Sequence, residues 1–273
     1  MGVIRPPWVT KSWFTKCPFN YCDHFGDKLV LATLCRICND EVQRLKLYKK
    51  AGKDPNDMKE VMKDIGDSLT HAMYLLHKDA ERMGIDLNNL DDIDIEESPE
   101  PSTYPLFQDT FSYGKALDSL IKKLSNTPIL ASNENLFLLE KVIEVLSHAR
   151  FYMLAKIGRA YSSKWEEDKD PDDDLDDAKT SAFLAYIAIK RNAYALKKLI
   201  QEGVMRPSDV RLAVQLRRTS EEIAEWIQQE FFPKDKLIYQ EFGCNSYNKL
   251  FEIPSQSARV RKNLSTISGK LSS

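Results

Sequence analysis

The sequence predicts an all-α fold: an antiparallel multi-helix bundle of about six main helices, behind an irregular Cys- and aromatic-rich N-terminal segment and ahead of a disordered C-terminal tail. Three observations predict it. Apolar residues recur at helical spacing in at least five segments, whereas strand-like alternation is hard to find. Glycine is scarce, with 10 residues in 273. The connections between the helical segments are short, which favours antiparallel neighbours.

The first helix is expected from about Asp27 to Lys50, with Val30, Leu34, Ile37, Leu45 and Tyr48 mostly on one stripe. Ala51-Gly52-Lys53-Asp54-Pro55 stops it. The second is expected from about Asp57 to Met83, with Asp54 or Asn56 as its cap. Met58, Val61, Met62, Ile65, Leu69, Met73, Leu76, Ala80 and Met83 give it one wide apolar face, and Gly84 follows as the C′ residue. Residues 85–104, Asp-rich and then Glu96-Glu97-Ser98-Pro99-Glu100-Pro101, read as a loop and a candidate hinge.

A third helix is expected from about Pro105 to Leu124, ended by Ser125-Asn126-Thr127-Pro128. A fourth runs from about Asn133 to Tyr161, with a stripe of Leu136, Leu139, Val142, Ile143, Leu146, Met153, Ile157 and Ala160. Trp165 to Asp177 reads as an acidic loop. The fifth helix, about Asp174 to Glu202, is rich in alanine and aromatic residues. The sixth starts after Pro207, takes Ser208 as its cap and ends near Phe232-Pro233. From Pro254 the chain is rich in serine and basic residues (Arg259, Arg261, Lys262, Lys270), the composition of a disordered tail. The resulting division is an irregular segment over 1–26, a helical bundle over 27–253 and the tail over 254–273.

Hydrophobic residues make up 42% of the chain, enough for a substantial core. Charged residues are nearly balanced, with a net charge of −2, which argues against a dedicated nucleic-acid binder. No apolar stretch approaches the roughly 18–20 residues of a membrane span. Met1 to Lys16 shows no signal-peptide pattern, so a cytoplasmic location and no membrane partner are expected.

Four of the five cysteines are clustered: Cys17-x4-Cys22, twelve residues, then Cys35-x2-Cys38. This resembles zinc-site spacing, with His24 able to replace one ligand. Thiolates suit zinc or an iron–sulfur cluster because both are soft enough for sulfur. Such a centre requires the four sulfurs to lie within about 4 Å of one another. The competing reading treats Cys35 and Cys38 as small apolar residues inside a helix.

Cys17-Pro18-Phe19-Asn20-Tyr21-Cys22-Asp23, with Cys35-Arg36 and Glu41 beyond it, resembles a group of uncharacterised bacterial helical proteins whose N-terminus is Cys-rich. His24 and Phe25 stand where that group has Arg-Trp, and its two middle cysteines fall on Gly26 and Leu29. Cys38 is the available substitute. Lys59 to Asp91, with Gly84-Ile85-Asp86-Leu87, is similar to the group as well. The resemblance implies a helical fold and no particular reaction.

Glu60, Asp64, Asp67 and His71 fall within about 60° of one another on a helical wheel. Carboxylates so placed can hold Mg²⁺ and position a phosphate-bearing substrate. The segment resembles all-α nucleotide pyrophosphohydrolases of the MazG type, with Asp64-Ile65-Gly66-Asp67 as one element and Asp40-Glu41-Val42-Gln43-Arg44 as the other. Arg44 stands where that family has a carboxylate. The stripe also lies opposite the apolar face, where a solvated charged surface belongs.

Glu140, Glu144, His148 and Tyr152 form an i+4 ladder, but no second helix carries the Glu-x-x-His of a di-iron site, so a local Glu144–His148 pair is expected. Asp168 to Asp174 lacks the glycine and the bidentate glutamate of a calcium loop, having Asp173 and Lys179 at those positions. Cys244 stands alone. The leading expectation is therefore a helical binding or scaffold protein with a protein partner and an N-terminal metal-dependent element. The aromatics Trp8, Trp13, Phe14, Phe19 and Tyr21 precede the first helix and either wrap the bundle, the commoner outcome, or mark a partner surface. The alternative is a metal-dependent nucleotide or phosphate hydrolase. The hydrolase needs Glu60, Asp64 and Asp67 to meet carboxylates from another helix, whereas the scaffold needs that face exposed or paired with Lys and Arg.

Overall fold

The computed structural model describes residues 36–87, 96–126, 133–169 and 177–237. Within them all regular structure is helical: α1 (Arg36–Ala51), α2 (Met58–Met83), a 3-10 turn (Pro101–Thr103), α3 (Pro105–Ser125), α4 (Asn133–Lys169), α5 (Asp177–Gln201) and α6 (Pro207–Phe231). The all-α expectation holds. None of these helices is long and apolar enough to cross a membrane.

α3 to α6 form a four-helix bundle in which α3 packs on α4, α4 on α5, α5 on α6 and α6 back on α3. Side-chain pairs across the seams show the directions. On α3 and α4, Tyr104 stacks on Tyr161 and Asp118 binds Arg150, so one number rises as the other falls. On α4 and α5, Arg159 binds Asp177 and Met153 lies against Asn192. On α3 and α6, Tyr113 lies beside Ser220 and Lys123 beside Asp209. Each pair of helices is antiparallel, as the short connections require.

α5 is the hub. Its sequence is not amphipathic in the usual sense, because buried residues occupy every side of it. Ala182, Ala185 and Ala195 are fully buried and let neighbouring backbones approach, while Phe183, Ile189, Leu196 and Leu199 fill the space between them. α4, with 37 residues, is about 55 Å long and supplies faces to both α3 and α5.

At one end of the bundle Tyr161 is stacked at 3.9 Å on Tyr104 and meets Phe231 edge-on at 5.3 Å. The 3-10 turn seats beside them. Gly158 faces it: a Cβ there would be in ordinary contact with Pro101 at 3.7 Å and in tight contact with the Phe107 ring at 3.3 Å. The last part of the candidate hinge, 101–104, is thus packed on α3 and α4, while residues 88–95 lie outside the described ones.

Several boundaries differ from expectation. Asp57, rather than Asp54 or Asn56, caps α2 by accepting from the Lys59 N–H. α4 continues through Trp165 to Lys169, where an acidic loop is predicted. Lys164 pairs with Glu230 of α6, and the Lys169 ammonium sits 3.8 Å from the Trp165 ring, so the extra turns are anchored. Ser208 does not cap α6. Pro207 takes the first helical position, and Ser208 Oγ turns to Asp209.

α2 ends as predicted. Gly84 adopts φ 71°, and the Ile85 and Gly84 N–H groups donate to the carbonyls of Ala80 and Glu81. That motif places Ile85 toward Ala80, which is buried. Among the described residues α1 and α2 make no extensive contact with α3 to α6.

Candidate functional site

Cys17, Cys22 and Cys35, with His24, lie outside the described residues, as do Cys244 and the basic residues of the tail. Cys38 lies in the first turn of α1, on backbone that is helical as expected. Among the described residues no three His, Cys, Asp or Glu side chains converge on a position that could hold a metal ion.

The acidic face of α2 meets α1. The Tyr48 hydroxyl donates to Asp64 Oδ2 at 2.6 Å, and Lys53 pairs with Glu60. Arg44 lies 3.9 Å from Asp64 and holds both oxygens of Glu41 at 2.8 Å. Tyr48 is the centre of this clasp. It is buried, with the Arg44 guanidinium 5.0 Å and the Lys53 ammonium 5.9 Å from its ring centre. Asp67 is exposed and His71 stacks on Tyr74 of its own helix. The groups that meet the α2 carboxylates are thus two cations and a phenol, Arg44 and Tyr48 from α1 and Lys53 from the turn after it. Arg44, which departs from the hydrolase pattern, is one of them.

The charges shift one another accordingly. The Arg44 hydrogen bonds hold the Glu41 carboxyl below the ordinary glutamate range, and Lys53 does the same to Glu60. The hydrogen bond to Asp64 raises the Tyr48 phenol, with burial adding to it. The glutamate contributions are present above the ordinary glutamate pKa of about 4.3 and are lost as pH falls through the lowered folded value. The tyrosine contribution is present below about pH 10 and is lost as pH rises through the raised folded value. The wild-type minus Tyr48→Phe difference in phenolate absorbance is therefore expected to rise only above the ordinary tyrosine range. A difference curve centred at or below about 10 would contradict the clasp.

On helix four, Glu144 pairs with Lys141 at 2.6 Å and His148 stacks on Tyr152 at 5.3 Å. No second carboxylate–histidine set faces them among the described residues.

The acidic stripe meets the end of α1 only at Glu60 and Asp64; from residue 65 to 79 α2 is exposed on its charged and its apolar sides alike. Met58, Met62, Ile65, Leu69, Met73, Leu76 and Met83 are each between 46% and 69% exposed. Of the nine residues of the wide apolar face that the spacing predicts, Val61 is half-buried and Ala80 buried, and the other seven are exposed. Leu45 and Leu47 of α1 are exposed as well.

A second exposed apolar feature lies between α3 and α4. Phe111 and Phe151 flank a groove of about 520 Å³, and both residues are exposed, Phe151 the more so. Lys115 lies 4.3 Å from the first ring and Arg150 4.4 Å from the second. Arg150 is held by Asp118, which also takes Lys122 at 2.7 Å. Sequence reasoning passed over this groove. The available signal was Phe151, a large aromatic off the apolar stripe of its helix.

No family model matches the chain, and comparisons with curated proteins and with solved structures found no match.

Proposed function

We propose that this chain is a helical binding or scaffold protein in which α3 to α6 form a rigid body and α2 presents the partner surface. The observation that carries this reading is the apolar face of α2, a helix of 26 residues, on which seven of the nine apolar residues are exposed. Contiguous apolar area of this kind marks an interaction site, since isolated exposed side chains are normal and a row of them is not. Four of the seven methionines lie on it, and unbranched thioether side chains adapt to a partner's shape. The pairing of Glu60 and Asp64 with Lys53, Arg44 and Tyr48 supports the binding reading over the hydrolase, which needs those carboxylates free to bind a metal.

A substitution that would be ruinous in a core tests it. Leu69→Lys in dilute protein is expected to leave the unfolding of the bundle within about 0.5 kcal/mol of wild type, as for an ordinary surface site. A loss of about 3 kcal/mol or more, the effect of a charge placed in a core, would show that Leu69 is covered by its own chain and would remove the binding surface.

A further inference from the structure

We propose that the occupant of the α2 face is a second copy of this chain, paired antiparallel through α2. The proposal rests on the binding reading above and gives its partner an identity. Met62, Leu69, Leu76 and Met83 recur every seven residues, and Met58, Ile65 and Ala72 each precede one of the first three by four. That is the a/d seam of a coiled coil, whose 3.5-residue period keeps one stripe against a partner helix. At 26 residues α2 is about 39 Å long, so the seam runs for several layers.

The direction follows from what each arrangement puts opposite what. Antiparallel pairing about a two-fold axis between Thr70 and His71 sets Met58 against Met83 of the second copy, Ile65 against Leu76, and Leu69 against Ala72. The axis repeats every layer, as an isologous dimer requires. Asp79, the one charged residue on the seam, falls opposite Met62 with Lys59 of the second copy alongside. Parallel pairing in register would instead stack Asp79 on its own copy and Ala72 on Ala72, giving like charges and a gap. From exposures of 46–69%, the antiparallel seam removes on the order of 1,000 Å² from water, the size at which an interface becomes specific.

Sedimentation equilibrium of the full chain over a range of concentrations tests this. The expected mass is twice the 31.4 kDa of one chain. Ile65→Glu and Leu76→Lys should each weaken association by about 100-fold, because each places unpaired charges in two layers of the seam. Mixing the two variants should restore association, since only the antiparallel register brings residues 65 and 76 together. Dimers that persist in the single variants, or a mixture that stays monomeric, would overturn the proposal. A wild-type monomer would overturn it too, and Leu69→Lys then separates two cases. Unchanged bundle stability removes the second copy and keeps the binding surface. A large loss means this chain's own residues, such as 1–35, cover the face, and both readings fall.

Discussion

Replacing Phe183 by alanine is expected to lower the stability of the bundle by about 3–5 kcal/mol. Phe183 is fully buried and lies on α5, the helix that α4 and α6 both pack against. Truncating its ring removes a large apolar surface from the core and leaves a cavity that rigid neighbours fill only partly. Ala182 and Ala185 beside it carry only methyl groups, which cannot rotate into the space. Urea unfolding read by circular dichroism measures the change as a shift in midpoint at constant slope. A loss below about 1 kcal/mol would mean that α5 is not the centre of the fold.

Asp177→Ala is the next largest effect, a loss of about 1.5–3 kcal/mol. Asp177 opens α5 and is buried, yet it is charged. Its Oδ2 takes the Arg159 Nε–H and the Ser163 hydroxyl of α4, and its charge favours the positive end of the α5 dipole. Arg159 is more than half exposed, so water takes over its solvation when the carboxylate goes, which keeps the loss below that of a fully buried pair. Glu167 of α4 still accepts the Ala178 N–H and limits fraying of the first turn. Asp177→Asn keeps an acceptor without the charge and should fall between alanine and wild type in the same urea experiment. Equal losses for both variants would assign the effect to charge alone.

The helices were legible because their signals are local. The C′ position of Gly84 follows from glycine's freedom at positive φ, and Pro207 marks the start of α6 by fitting the first helical turn. The end of α4 was not legible. Ser162 to Lys169 is polar enough to read as loop, and it is helical because Lys164 and Lys169 find partners on α6 and on Trp165, which sequence spacing does not show. The rank of the helices was hidden too. The Ala-rich pattern of α5 identifies a helix but not that it is surrounded, and the better-formed apolar stripe of α2 belongs to a helix that is mostly exposed. Periodicity says that one side of a helix is apolar; it does not say what covers that side. The acidic stripe was placed correctly opposite the apolar one. Its partners Arg44, Tyr48 and Lys53 lie on or just after the preceding helix, at separations set by the hairpin between α1 and α2. The cysteine set Cys17, Cys22, Cys35 and Cys38 has no sulfur position within the described residues.

The central claim is that the apolar face of α2 is a surface for a partner and not part of the core. Peroxide oxidation of the full chain at low concentration, read methionine by methionine by mass spectrometry, tests it most directly. Met58, Met62, Met73 and Met83 lie on the face, while Met153 is fully buried and Met205 nearly so. The account predicts that the four α2 residues oxidise at close to the rate of free methionine and become protected as the partner binds, with Met153 and Met205 slow throughout. Four slow α2 methionines in dilute, monomeric protein would contradict it.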